Sequence, residues 1–122
     1  MSLFSVMINT YRNNDSDREK IERLQKSRLI KLVNFARSES PYYKKLYANI
    51  GSDFSLEDLP AVNKPEMMRS FDDILTDRNI TMSRIDEFTS DIDNVGRMID
   101  GKYLIFKTSG STGNPAVVLY DK

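Results

Sequence analysis

The stretch YLIFKTSGSTGNPAVVLY, residues 103–120, decides how the C-terminal part of this chain folds. Two runs within it, 103–107 and 116–120, are rich in β-branched and aromatic residues and have the composition of strands. Between them lies TSGSTGNP, residues 108–115, made of hydroxyl, glycine and turn-forming residues. This order predicts a two-stranded ribbon whose strands are joined by a loop.

A long helix is predicted before the ribbon, over about residues 15–40. Its interior lacks glycine and proline, and carboxylates near its start suit the positive end of a helix dipole. Apolar residues at near-helical spacing predict one packed face: Ile21, Leu24, Leu29, Leu32, Val33 and Ala36. The basic residues of the same stretch are interpreted as a solvated face: Lys26, Arg28, Lys31 and Arg37.

A short second helix is predicted to start at Pro41, because Ser40 is a good N-cap and proline suits the first helical turn. Gly51 is expected to end it in a left-handed conformation. One face of this helix carries Tyr43, Leu46, Tyr47 and Ile50. The tyrosines of this region, Tyr42, Tyr43 and Tyr47, are therefore interpreted as packing residues rather than as a platform for bases.

Capping boxes predict further brief helical turns. The pairs are Ser55 with Asp58, Asn63 with Glu66, and Ser83 with Asp86 or Glu87. In contrast, the glycines and aspartates of residues 91–102 predict a loop or tight hairpin. Three carboxylates of that segment are interpreted as solvated charges and not as metal ligands: Asp91, Asp93 and Asp100.

Composition narrows the possible functions. A chain of 122 residues has the size of one domain. The absence of cysteine and histidine excludes disulfides, zinc-finger sites and catalytic arrangements based on thiolate or histidine. Lys plus Arg and Asp plus Glu are both 18, and this balance argues against a nucleic-acid partner. No apolar run is long enough for a membrane span or a convincing signal peptide, so a cytoplasmic location is expected.

These patterns predict an α+β fold in three parts: an N-terminal extension (1–14), a helical region (15–102) and a strand–loop–strand unit (103–122). An isolated two-stranded ribbon is marginally stable and has open edges. We therefore expect this ribbon to belong to a larger sheet, and its strand edges to favour self-association.

The loop has the chemistry of a phosphate site. Glycines let successive backbone N–H groups approach one anion, and the neighbouring hydroxyls add donors. The predicted phosphate-binding residues are Thr108, Ser109, Gly110, Ser111, Thr112 and Gly113. No catalytic nucleophile and no metal ligand is predicted. The alternative interpretation is an ordinary solvated turn, because the same residue types form turns.

The loop resembles, residue for residue, the T-S-G-[ST]-T-G-x-P phosphate-binding loop of the adenylate-forming superfamily, which includes acyl-CoA synthetases, luciferases and nonribosomal adenylation domains. A second stretch is similar to the N-terminal region of phenylacetate-CoA ligase-like enzymes, including the CapK group. It reads ARSESPYYKKLYANIG at 36–51 and SLEDLPAVNKPEMMRSFDDIL at 55–75. The resemblance extends over roughly residues 20–122.

The resemblance implies that the chain is part of the large N-terminal domain of an ATP-dependent ligase. In that family Mg-ATP and a carboxylic acid form an acyl-adenylate, which a thiol such as CoA can capture, and the loop holds the ATP phosphates. The family's adenine, ribose and acyl sites and its catalytic lysine follow this loop and are not among these 122 residues, so we expect the chain alone to be inactive.

One departure concerns charge. Ala116 stands where many relatives have lysine, so the positive charge near the loop is expected to come from Lys107 or from a residue beyond Lys122. A second function class also stays open. In this alternative the chain is a small, non-enzymatic helical interaction module, and the Ser/Thr/Gly loop is only a turn.

Overall fold

A computed structural model describes residues 17–110 and 115–121, and these residues form five α-helices followed by an antiparallel two-stranded ribbon. The helices are α1 (Arg18–Glu39), α2 (Pro41–Leu46), α3 (Lys64–Arg69), α4 (Phe71–Ile74) and α5 (Met82–Ser90). The strands are β1 (Tyr103–Lys107) and β2 (Val117–Asp121), and 3-10 turns lie at Leu56–Asp58 and Ile92–Asn94. The predicted α+β class is confirmed, whereas the predicted extension 1–14 lies outside the described residues.

The long helix α1 is confirmed, but the predicted apolar face is partly wrong. Val33 is 3% exposed, whereas Leu32 is 65% and Ile21 39% exposed. The neighbours of α1, helix α2 and the segment 50–58, cover the side that carries Leu29 and Val33. Leu32 lies about 100° around the helix from Val33 and therefore faces away from that contact.

Two basic residues of α1 contact the segment after α2. Lys26 is exposed, as predicted for a solvated face, whereas Arg37 is partly buried, which corrects its interpretation. Lys26 Nζ lies 2.7 Å from Asp53 Oδ1. Arg37 Nη1 donates to the carbonyl oxygen of Ile50 at 3.2 Å in a partly buried contact. Both contacts hold the segment after α2 against α1.

Three of the predicted caps are confirmed. Ser40 is 1% exposed, and its Oγ accepts from the Tyr43 N–H. The Ser40 hydroxyl also donates to the carbonyl of Asp73 at 3.0 Å, which joins the α2 start to the α4 end. A reciprocal capping box forms at Ser55 and Asp58, and Asn63 Oδ1 accepts from the Glu66 N–H at 3.0 Å.

The predicted cap of α5 is wrong. Thr81, not Ser83, is the N-cap, and its Oγ1 accepts from the Arg84 N–H at 3.3 Å. The helix starts two residues earlier than predicted because Asp72 Oδ1 accepts from the Met82 N–H at 2.7 Å and fixes this first turn.

The left-handed end predicted at Gly51 is also wrong, because Gly51 is not among the residues with positive φ. Helix α2 ends at Leu46, and Tyr47 is its C-cap. The Ile50 N–H donates to the Tyr47 carbonyl at 3.1 Å, so an ordinary turn closes the chain without a left-handed residue.

The hydrophobic core lies between the short helices and the inner face of the ribbon. Its buried residues are Phe71, Ile80, Ile85, Ile99 and Val117. The inner-face residues Tyr103, Ile105 and Leu119 pack against it. The ribbon register pairs Tyr103 with Asp121 and Lys107 with Val117. Because Val117 is buried in the core, the core contacts the ribbon at the strand pair next to the loop.

Residues 91–102 form the predicted loop and tight hairpin. Ile99 and Tyr103 exchange backbone hydrogen bonds of 3.0 and 3.2 Å around a turn at Asp100 and Gly101, both of which have positive φ. Asp100 accepts from Arg84 at 2.8 and 3.2 Å. Its interpretation as a merely solvated charge is therefore wrong, because this bidentate pair ties the turn to α5.

Within the described ranges, no helix combines the length and apolar character needed to cross a membrane.

Candidate functional site: the ribbon loop and the adjoining cleft

The loop begins and ends on a closed stem. The Thr108 N–H donates to the Ala116 carbonyl at 2.9 Å, and the Ala116 N–H donates to Thr108 Oγ1 at 2.8 Å. The threonine side chain thus replaces a backbone acceptor at the last pair of the ribbon. Of the predicted phosphate ligands, Thr108 is the one that the structure places in the stem, where its hydroxyl hydrogen can still donate to a ligand.

Gly110 occupies a backbone conformation that favours glycine. Its φ is +63°, and a Cβ added there would lie 2.9 Å from the backbone nitrogen of Pro115. Both observations exclude a side chain without local rearrangement. They also show that the two ends of the loop, at Gly110 and Pro115, approach each other closely. Ser109 is exposed beside them, whereas Ser111, Thr112 and Gly113 lie outside the described residues.

The far end of the ribbon is anchored by a polar cluster around Asp77. Its Oδ2 accepts from the Tyr103 hydroxyl at 2.8 Å and from Lys102 Nζ at 3.1 Å. The hydrogen bond from Tyr103, followed by those from the Asn79 backbone and Lys102, lowers the pKa of Asp77 to about 2. The ionised carboxylate therefore holds the start of β1 against the turn before α5.

Lys107 fixes the loop end of the ribbon. Its Nζ donates to Asp86 Oδ1 and to Thr89 Oγ1, both at 2.7 Å. These contacts join β1 to α5 and place an anionic partner beside the ammonium group. The positive charge of Lys107 is therefore already compensated, so its contacts do not favour the role of the missing loop lysine.

A cleft of about 510 Å³ lies beside the loop, between α3, α5 and the start of β2. Its walls are largely apolar and include Pro65, Met68, Met82, Pro115 and Val117. Its charged lining consists of Arg69, Lys107 and Asp86. Clefts with apolar walls and a few polar groups are the usual form of small-molecule sites.

Helix α3 positions Arg69 at this cleft. The Tyr42 hydroxyl donates to Glu66 Oε1 at 2.7 Å, and this hydrogen bond is the largest cause that raises the Tyr42 pKa to about 12. Tyr42 and Tyr47 pack against Tyr43 with ring centroids 5.2 and 5.3 Å away. The predicted packing role of the tyrosines is confirmed, since they join α2 to α3.

Arg69 is a lining residue of the candidate cleft that the sequence patterns did not indicate. It lies about forty positions before the loop, and no motif connects the two segments. The available signal was a basic residue in the last turn of a capped helix, which is common because it complements the helix dipole. Arg69 and Pro115 come to the same cleft only in the folded chain.

Among residues 17–110 and 115–121, no group of three or more carboxylates is arranged to hold a metal ion. Asp91 has a structural contact, because its Oδ1 accepts from the Asp93 N–H at 3.0 Å at the start of the second 3-10 turn. Asp91 therefore caps this turn and Asp100 connects its hairpin to α5, whereas the Asp93 side chain is exposed, as predicted for a solvated charge.

Comparisons with known proteins identify no relative of this chain. No family model matches it, and searches of curated proteins and of solved structures find no match.

Proposed function

We propose that this chain is the N-terminal region of an ATP-dependent, adenylate-forming ligase of the phenylacetate-CoA ligase-like branch. Its loop 108–115 would bind the β- and γ-phosphates of ATP. The observation that carries the proposal is the closed stem together with left-handed Gly110, because the described ends of the TSGSTGNP motif are held close to each other. Held ends lower the ordering cost of binding a ligand between them.

The proposed role of the loop is electrostatic. When a carboxylate oxygen attacks the α-phosphorus of ATP, pyrophosphate leaves, and negative charge grows on its oxygens. Fixed N–H and hydroxyl donors stabilise such charge without having to reorganise during the reaction. Ser109 and Gly110 would contribute donors from the described part of the loop, and Ser111, Thr112 and Gly113 would contribute the rest.

Magnesium would accompany ATP in this proposal, held by the phosphate oxygens. The residues of the described ranges gather no carboxylate cluster that could supply its protein ligands. The carboxylic acid, adenine and ribose would be bound by parts of the enzyme that lie outside these 122 residues.

Titration calorimetry with Mg-ATP and with inorganic pyrophosphate tests the proposal. We expect the chain to bind both ligands below millimolar concentration. Gly110→Val should abolish this binding, because a side chain there meets Pro115 at 2.9 Å. Gly51→Val is the matched control, since a Cβ at Gly51 has no neighbour within 4 Å and should leave binding unchanged.

Two results would contradict this function. One is the absence of detectable binding of either ligand at millimolar concentration. The other is equal binding by Gly110→Val and Gly51→Val, since the ligand would then lie elsewhere on the molecule.

A second candidate function, a non-enzymatic interaction module, is favoured by the outer face of the ribbon. The register places Leu104, Phe106, Val118 and Tyr120 together on this face. Phe106 and Tyr120 are 55% and 59% exposed, and their rings form an edge contact at 5.3 Å. Uncovered apolar faces next to open strand edges favour association, here with a second copy.

Sedimentation velocity tests the self-association that this second function requires. If the outer face mediates self-association, Val118→Lys should shift the chain to monomer across the concentration range. Ile92→Lys is the control, because Ile92 is 82% exposed outside the ribbon and its replacement should leave association unchanged. A wild-type chain that is monomeric at every concentration would contradict the module interpretation.

A further inference from the structure

We propose that Arg69 binds the same polyphosphate as the loop, from the cleft side. Arg69 would supply the positive charge that the loop lacks. This inference rests on the proposed function and adds a residue to its site. The ligand class is an inorganic or nucleoside polyphosphate whose terminal groups span from the loop donors to the guanidinium group.

The loop itself cannot neutralise such a ligand. Residues 108–115 contain neither lysine nor arginine, and Ala116 follows them. The backbone N–H of Ala116 is also used in the stem, where it donates to Thr108. N–H and hydroxyl dipoles can orient a phosphate, but a pyrophosphate group carries several negative charges that a nearby cation would stabilise further.

Of the two cations that line the cleft, Lys107 is already compensated. Its Nζ lies 2.7 Å from Asp86 Oδ1, and its side chain is 34% exposed. Recruiting Lys107 would break this ion pair and leave Asp86 facing the anion. The pair therefore acts as a fixed part of the wall, and Arg69 provides the remaining charge of the cleft.

Arg69 has the geometry and environment for this role. It lines the cleft together with Pro115, the last residue of the loop, and it forms no ion pair with any residue in the described ranges. Met68 and Met82 line the same cleft and supply apolar walls, while Arg69 itself is exposed and accessible to a ligand. The planar guanidinium can donate two parallel hydrogen bonds to one phosphate group.

Titration of the chain with inorganic pyrophosphate tests this inference. Arg69→Met should weaken binding about tenfold, as expected for the loss of charge-assisted hydrogen bonds. The control Arg97→Met removes the same charge from an exposed arginine outside the cleft and should change affinity less than about twofold through screened interactions. The affinity of Arg69→Lys should lie between those of wild type and Arg69→Met, because lysine restores the charge but not the two parallel N–H donors of the guanidinium group.

Two further measurements identify direct contact. The Nε–Hε resonance of Arg69 should move on addition of pyrophosphate in the wild-type chain. The melting temperature of Arg69→Met without ligand should equal that of Arg97→Met, since the exposed side chain does not support the core.

The outcomes separate the two proposals. If wild type binds pyrophosphate, Gly110→Val does not, and Arg69→Met equals Arg97→Met, the role of Arg69 is overturned and the proposed function stands. If wild type does not bind pyrophosphate at all, both proposals are overturned. An Arg69→Met loss that Arg69→Lys partly restores, with unchanged melting, supports the inference.

Discussion

Helix α1 differs in its burial from the unit 71–117, of which the structure describes residues 71–110 and 115–117. Helix α1 spans 22 residues, yet Val33 is its one buried residue. The unit 71–117 consists of short elements, but its core buries Phe71, Ile80, Ile85 and Ile99 together with Val117. Because tertiary packing and not helix length supplies most helical stability, we expect the short elements to resist local unfolding more than α1 does. The candidate loop stands on this part.

Polar contacts reinforce the same difference. In the unit 71–117, Arg84 pairs with Asp100 and Lys107 with Asp86, and each pair joins two elements. In α1, Arg18 pairs with Glu22 within the same helix, where the side chains are largely exposed. Exposed pairs within one helix contribute only about 0.3–0.5 kcal/mol. The contacts of the unit therefore fix tertiary structure, and those of the α1 pair do not.

The largest expected effect comes from a core substitution that breaks the difference between the two regions. Ile85 is fully buried, so Ile85→Ala should lower the free energy of unfolding by about 3 kcal/mol through lost burial and a cavity. Leu32→Ala in α1 removes a similar side chain that is 65% exposed. This substitution should change the free energy of unfolding by less than about 0.5 kcal/mol. Urea unfolding measures both, and similar losses would contradict the comparison.

The next effect tests the loop end of the packed unit. Gly110→Ala should cost about 2 kcal/mol, because alanine must adopt a left-handed φ and its Cβ meets Pro115. Gly51→Ala should be neutral or slightly stabilising, since Gly51 has open space and no positive φ. Thermal unfolding compares them. A stable Gly110→Ala chain would show that the loop conformation is not fixed by its stem.

A smaller effect is expected at the stem itself. Thr108→Val keeps the shape of the side chain but removes the acceptor for the Ala116 N–H, so unfolding free energy should fall by about 1 kcal/mol. Thr108→Ser retains the hydroxyl, so its free energy of unfolding should fall by less. Amide hydrogen exchange at Ala116 provides the local readout. Unchanged protection in Thr108→Val would mean that the contact does not hold the stem.

The pH dependence of stability tests the contacts at the other end of the ribbon, where Asp77 binds Tyr103. The Asp77 pKa falls from 3.8 to about 2, chiefly through the Tyr103 hydroxyl. A lowered pKa means that the stabilisation is present above pH 3.8 and is lost as pH falls toward 2. Asp77→Asn should therefore show a shallower loss of stability in this window than wild type.

The control for the pH measurement is Asp93→Asn, which removes an exposed carboxylate outside this cluster. Thermal unfolding followed between pH 5 and pH 2 gives both profiles, over a range set by the ordinary and folded pKa values. If Asp77→Asn keeps the full wild-type slope while Asp93→Asn does not, the Asp77–Tyr103 contact is not the source of the acid sensitivity.

Much of the fold could be predicted because its signals are local. The ribbon follows from two β-rich runs around a turn-forming loop, and the caps at Ser40, Ser55 and Asn63 follow from side chains that bond their own helix ends. Leu32 shows where local patterns are insufficient. Helical spacing identifies apolar residues, but the neighbouring segments decide which of them are covered.

The candidate site was also predictable only in part. The motif identified Thr108 and Gly110, and the left-handed φ of Gly110 agrees with the backbone freedom that the sequence analysis assigned to this glycine. The sequence could not connect Arg69 to the loop, because a tertiary contact between α3 and the ribbon end creates the cleft. The pairing of Lys107 with Asp86 was likewise invisible, since the residues lie 21 positions apart.

The proposed polyphosphate site depends on the packed unit, which supports the described ends of the loop at Gly110 and Pro115. An amide NMR titration of the wild-type chain with inorganic pyrophosphate tests it most directly. We predict that the largest saturable shifts fall on the amides of residues 109–113, while those of α1 and of the core stay in place. Shifts centred on the lysines and arginines of α1, or no shifts at millimolar pyrophosphate, would contradict the claim.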